Sequence, residues 1–112
     1  MVNIMHPSRK TPQEELNITL RLNKENKVNG QNFLNEIQKI KYDIRLPDTC
    51  FIIRTNDMAT NEMLEYVFTL LETKGLQRDQ NVYNYAIYEC NYPAKNILMV
   101  RNLNSFLSQK PL

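Results

Sequence analysis

A mixed α+β domain is the fold class the sequence predicts, on three observations. Residues 16 to 22 alternate apolar and polar side chains, the period of a strand with one buried face. Met63, Leu64, Val67, Leu70 and Leu71 form an apolar stripe at helical spacing, between the opening Thr55-Asn56-Asp57 and the closing Lys74-Gly75-Leu76. Taken in order along the chain, the segments read strand, helix, strand, strand, helix, strand.

Each element rests on its own residues. Residues 1–13, MVNIMHPSRKTPQ, lack periodicity and contain two prolines, so they read as a flexible N-terminal segment ahead of a single domain over 14–112. The first strand places Leu16, Ile18, Leu20 and Leu22 on one side and Asn17, Thr19 and Arg21 on the other. After the turn-rich NKENKVNG, a helix capped by Asn29 carries Phe33, Leu34, Ile37 and Ile40 at helical spacing. Pro47 cannot donate to a ladder and Pro-Asp favours a turn, so residues 42–47 and 50–55 read as two strands of a hairpin. The second helix is the clearest in the chain. Asp57 or Thr60 caps it, Met63, Leu64, Val67, Leu70 and Leu71 form its stripe, and Glu62, Glu65, Thr69 and Glu72 its wet face. Lys74-Gly75-Leu76 closes it with a cation, a left-handed glycine and a hydrophobic contact. Val82 to Cys90, rich in tyrosine, reads as the last strand.

That order is the ferredoxin-like βαββαβ two-layer sandwich, an antiparallel sheet with both helices on one face and the other face open. A C-terminal extension over 94–112 follows. It is expected to be a short strand at Ile97 to Arg101 and a short helix, or one helix started by Pro93.

Composition narrows the function. The chain has 112 residues, enough for one core that needs no metal or disulfide. Lysine and arginine number 14 against 12 acids, with no block of like charge, which argues against a protein held to DNA by phosphate neutralisation. No apolar run is long enough for a membrane span and the first residues lack a signal-peptide core, so a cytoplasmic protein is expected. Fifteen asparagines suit an AT-rich coding genome such as a phage's.

Cys50 and Cys90 are read as small buried hydrophobes without a disulfide between them. His6, the only histidine, falls in the N-terminal segment, which leaves neither cysteine a base to activate it. Two glycines cannot build a phosphate-cradling loop, and four zinc ligands cannot be assembled. No catalytic residue, metal site or cofactor is therefore expected.

Binding remains. The expected function is that of a small non-catalytic protein-binding module, a subunit, adaptor or inhibitor, docking another protein or a second copy of itself as a homodimer. Tyr83, Tyr85, Tyr88 and Tyr92, with Leu103, Phe106 and Leu107 of the tail, are the candidate contact residues, because tyrosine is enriched in interface cores. On strand parity Tyr83 and Tyr85 share one face, Tyr88 takes the other, and Tyr92 falls in the following turn. The alternative is RNA binding on the open sheet face through Arg21, Arg45 and Arg54 with the tyrosines of the last strand. The aromatic RNA-recognition signature K/R-G-F/Y-G/A-F-V-x-F/Y is missing from the chain.

Overall fold

The computed structural model describes residues 1–102 and 104. The α+β class holds, with four α-helices and, among the described residues, a three-stranded sheet. The strands are β1 (Val2–Met5), β2 (Pro47–Ile53) and β3 (Leu98–Val100), and the helices are α1 (Pro12–Arg21), α2 (Lys27–Ile37), α3 (Met58–Lys74) and α4 (Tyr83–Glu89). Short 3₁₀ turns occupy Asp79–Asn81 and Ala94–Asn96. The ferredoxin-like order does not form. The chain runs β1-α1-α2-β2-α3-α4-β3, and β1 lies centrally, antiparallel to β2 and parallel to β3.

Three corrections explain the difference. Residues 1–13, expected to be a flexible lead-in, supply the central strand. Asn3 is fully buried there, because its Oδ1 accepts from the Tyr83 hydroxyl at 2.9 Å, and a polar residue at a core position hid the strand's period. The alternating run at 16–22 lies in α1 rather than in a strand. Thr11 caps that helix, its Oγ1 accepting from the Glu14 amide, and Pro12 occupies the first turn, where its missing N–H costs nothing. Leu16 and Thr19 then face inward and Leu22 is exposed. The tyrosine segment is also a helix. Residues 81 to 87 are buried without interruption, so α4 has no polar face to mark its period, and tertiary burial overrides the strand preference of valine and tyrosine.

Two further expectations change, the first only slightly. α2 begins earlier than Asn29, capped by Asn26, whose Oδ1 accepts from the Asn29 amide at 2.9 Å. The hairpin proposed around Pro47 is instead one strand that begins at that proline. β2 is an edge strand, where a missing donor is tolerated. Its partner on β1 jumps from Ile52 opposite Asn3 to Asp48 opposite Ile4, so Thr49, Cys50 and Phe51 bulge out of the ladder. Gln80 fills the gap left by the bulge: its Oε1 accepts from the Thr49 amide at 3.0 Å and its Nε2 donates to the Pro47 carbonyl.

α3 forms as its sequence dictates. Asp57 accepts from the Thr60 amide at 2.9 Å, and Gly75 ends the helix at φ 64°. The Gly75 carbonyl accepts from Asn29 Nδ2 at 3.0 Å, and a Cβ added to the glycine would stand 2.4 Å from that nitrogen. The backbone angle thus favours glycine, and a Cβ here would also displace the Asn29 amide that bonds the Gly75 carbonyl.

The core is shared by Leu16, Phe33 and Ile37 of α1 and α2, Met63, Val67 and Leu70 of α3, and the 82–87 segment. Ile52, Met1 and Ile97 pack against it from the sheet. At its polar edge Glu25 is buried but not isolated. Its carboxylate accepts from the amides of Asn26, Gln77 and Arg78 and from Asn81 Nδ2, four donors that tie the start of α2 to the chain after α3.

Candidate functional site

Two surfaces emerge from this architecture. The first is the sheet face turned away from the helices. Side chains paired in a ladder share a face and alternate along each strand. Met1, Asn3, Ile52 and Ile97 face the core, so Val2, Ile53 and Leu98 face out. Val2 is the ladder partner of both Ile53 and Leu98, which sets three aliphatic side chains in one row across all three strands. Ile53 is 39% and Leu98 50% exposed, whereas Val100, beside Ile4 further along the face, is buried. On the helix side of β2, Ile52, Leu64 and the largely exposed Phe68 line a depression of about 240 Å³, bordered by Arg54 and Asp79.

The second surface is a cleft of about 270 Å³ between the chain at 42–44 and α4, continued by residues 91–94. Tyr42, Asp43 and Ile44 form one wall, and Asn84, Ile87, Tyr88 and Tyr92 the other. Asn84 and Tyr88 are one turn apart and share a face of α4. The rings of Tyr42 and Tyr88 meet edge to face, with centroids 6.0 Å apart at 76°. Tyr85, behind them, stacks edge on against Phe33 at 5.2 Å. Asn84 is only 1% exposed; its Nδ2 donates to the Ile44 carbonyl at 3.3 Å, and its Oδ1 has no partner. The Tyr42 hydroxyl is likewise buried without a partner. Burial raises the pKa of Tyr42, then Tyr85 and Tyr88 add to the shift, so the phenol remains neutral. Burial also pushes the Tyr85 hydroxyl up to about 12.

The expected contact residues divide between core and surface. Tyr83, Tyr85 and Tyr92 are buried, with Tyr83 bonded to Asn3 and Tyr92 sharing a 2.8 Å hydrogen bond with the Thr60 hydroxyl. Tyr88 alone of the four is exposed. The strand-parity grouping of these tyrosines falls with the strand, because on a helix Tyr85 and Tyr88 are neighbours, 6.2 Å apart between centroids. Leu103, Phe106 and Leu107 lie outside the described residues. Arg21 ends α1, Arg45 precedes β2 and Arg54 follows it, so none of the three stands within a strand as the RNA-binding expectation required. Tyr42 was missed because nothing local marks it. The signal that could have found the cleft is the pairing of a buried asparagine with tyrosine one turn on, visible only once 83–89 is read as a helix.

The reactive side chains have local engagements. Cys50 and Cys90 are unbonded, and both are exposed rather than buried as expected. A hydrogen bond to Asp48 and that carboxylate's charge raise the Cys50 thiol, and burial followed by Glu89 raises Cys90, so both favour the unreactive protonated form. His6 is held, contrary to expectation: its Nδ1 accepts from the Ser8 and Arg9 amides at 3.1 and 3.0 Å, and its Nε2 faces Glu15 at 3.4 Å. Among the described residues no helix is long and apolar enough to cross a membrane. No family model matches the chain, and neither a curated protein nor a solved structure is similar to it.

Proposed function

We propose that the chain is a non-catalytic protein-binding module that docks a second protein on the outward face of its sheet. The observation that carries this reading is the row of Val2, Ile53 and Leu98, in which Ile53 and Leu98 are exposed on either side of the half-buried Val2, in register across three strands. Exposed apolar surface of this kind is removed from water by an apolar segment of a partner, at a gain of roughly 25 cal/mol for each Å² covered. The bulge at Thr49 to Phe51 in its pairing with β1 bends the edge strand β2, which favours contact through the face over addition of a further strand to its free edge.

Affinity purification from the native cell under mild salt, with and without nuclease, tests it. The expected result is a stoichiometric protein, retained through nuclease treatment, lost from Ile53→Asp/Leu98→Asp and kept by Val28→Asp, a control at an exposed position on α2. Equal retention by the double variant, with unchanged circular dichroism, would sink the proposal. Capture that nuclease abolishes would favour the RNA-binding reading, and a concentration-dependent dimer mass lost in the double variant would make the partner a second copy.

A further inference from the structure

We propose that the tyrosine cleft binds a primary ammonium group carried on a short apolar stem. The cleft shares no lining residue with the sheet face, so this proposal stands independently of the protein-docking one.

Four features define the ligand. The walls supply ring faces and aliphatic carbon, from Tyr42, Tyr88, Ile44 and Ile87, at a corner of two near-perpendicular rings. Such a corner presents the negative face of an aromatic quadrupole, which attracts a cation and repels an anion. Among the described residues the only charged side chain lining the cleft is the carboxylate of Asp43, and it forms no ion pair with any of them. Lys10 and Arg45 line a second depression, which shares Tyr42, Asp43 and Ile44 with the cleft, and neither cation lines the cleft itself. Asn84 Oδ1 and the Tyr42 hydroxyl are acceptors without donors, and a buried acceptor left alone costs free energy until an N–H reaches it. A quaternary ammonium would satisfy the rings and the carboxylate but not these two atoms; a primary ammonium satisfies all of them. The volume of about 270 Å³ suits a compact amine rather than an extended one. Tyr88, 49% exposed, is the outer wall, and the ligand reaches the buried Asn84 Oδ1, one helical turn away on the same face, by turning that ring aside from Tyr42.

The same chemistry comes from two sources, a free alkylamine or the lysine side chain of another protein. Titration of the isotopically labelled protein with n-butylammonium, followed by amide chemical shifts, tests the site. Saturable shifts confined to residues 42–44 and 84–94 are expected, with n-butanol and tetramethylammonium each binding about tenfold more weakly. Tyr88→Ala and Asp43→Asn, both at exposed positions, should weaken n-butylammonium by a similar factor without altering the fold. A capped lysine peptide that binds more tightly than n-butylammonium would identify a protein side chain as the source, and one that binds more weakly a free amine; either supports the site. No saturable shift, equal binding of n-butanol or of tetramethylammonium, or variants that bind as the parent does would overturn it.

Discussion

On the sheet, Val2, Ile53 and Leu98 contribute no polar side-chain atom, and what they offer a partner is area. In the cleft, Asn84 and Tyr42 each bury a polar atom that nothing among the described residues satisfies, and what they offer is a demand for particular donors. An apolar row accepts any complementary apolar segment and discriminates weakly, because one methylene more or less changes little. Orphaned polar atoms discriminate strongly, because the wrong ligand leaves them unpaired. The first surface is therefore suited to holding a protein and the second to recognising a chemical group. One strut joins them: Asn3, on the core side of β1, and Tyr83, which opens α4.

The largest effect is expected where the sheet can be broken alone. Gln80→Ala removes the side chain that accepts from Thr49 and donates to Pro47, stranding an amide and a carbonyl at the bulge. A loss of about 2–3 kcal/mol in urea unfolding is expected, with faster hydrogen exchange along β2 and unchanged tyrosine shifts in the cleft. Disturbance of the cleft as well would mean the two regions open together. Tyr83→Phe tests the strut. It leaves the fully buried Asn3 without a donor to its Oδ1, beside an Nδ2 that already lacks a partner. About 1–2 kcal/mol should be lost, with exchange rising in both β1 and α4. An unfolding midpoint matching the parent's would show that packing alone holds the sheet to α4.

How much of this was readable in advance depends on whether an element carries its own punctuation. α3 was, because Asp57, Lys74 and Gly75 are end signals whose chemistry is local. β3 was nearly so, at Leu98–Val100 within the expected 97–101. α1 also had punctuation, Thr11-Pro12-Gln13-Glu14, but the alternation of Leu16, Ile18, Leu20 and Leu22 outweighed it, and that alternation does not track burial to its end, since Leu22 is exposed. α4 had none: buried from Tyr83 to Ile87 without a break, it shows no period, and its type is decided by what surrounds it. The cleft was unreadable for the same reason, since it needs α4 to be a helix and Tyr42 to be brought against it from a segment without regular structure.

Smaller effects separate the surfaces by sign. Tyr42→Phe deletes a buried hydroxyl that bonds to nothing, so the unliganded protein should be unchanged or more stable by up to about 1 kcal/mol, while n-butylammonium binds less tightly. Clear destabilisation by calorimetry would show that the hydroxyl already has a partner, and the contrast with the sheet would weaken. Ile53→Ser, at an exposed position, should change unfolding free energy by no more than about 0.5 kcal/mol while reducing partner retention. A large stability loss would reassign Ile53 from docking surface to core.

The smallest effect reaches the cleft from outside. Asp57 caps α3 and is held below the usual carboxylate range, first by the Thr55 hydroxyl and then by the Thr60 amide. Its folded value is depressed, so what it contributes is complete above the unfolded value and fades as pH falls through the folded one. Thr60 is the link to the cleft, because its hydroxyl donates to Asp57 and also bonds to Tyr92, a lining residue. Acidification from about pH 5 to about pH 2 should therefore shift the Thr60 amide and the Tyr92 ring resonances together, with Asn3 and Tyr83 silent. Asp57→Asn should keep the cap and abolish the transition, because an amide accepts from Thr60 without titrating. A Tyr92 signal that still moves in Asp57→Asn would assign the acid response to another carboxylate, and Asp43, in the same cleft, would be the next to replace.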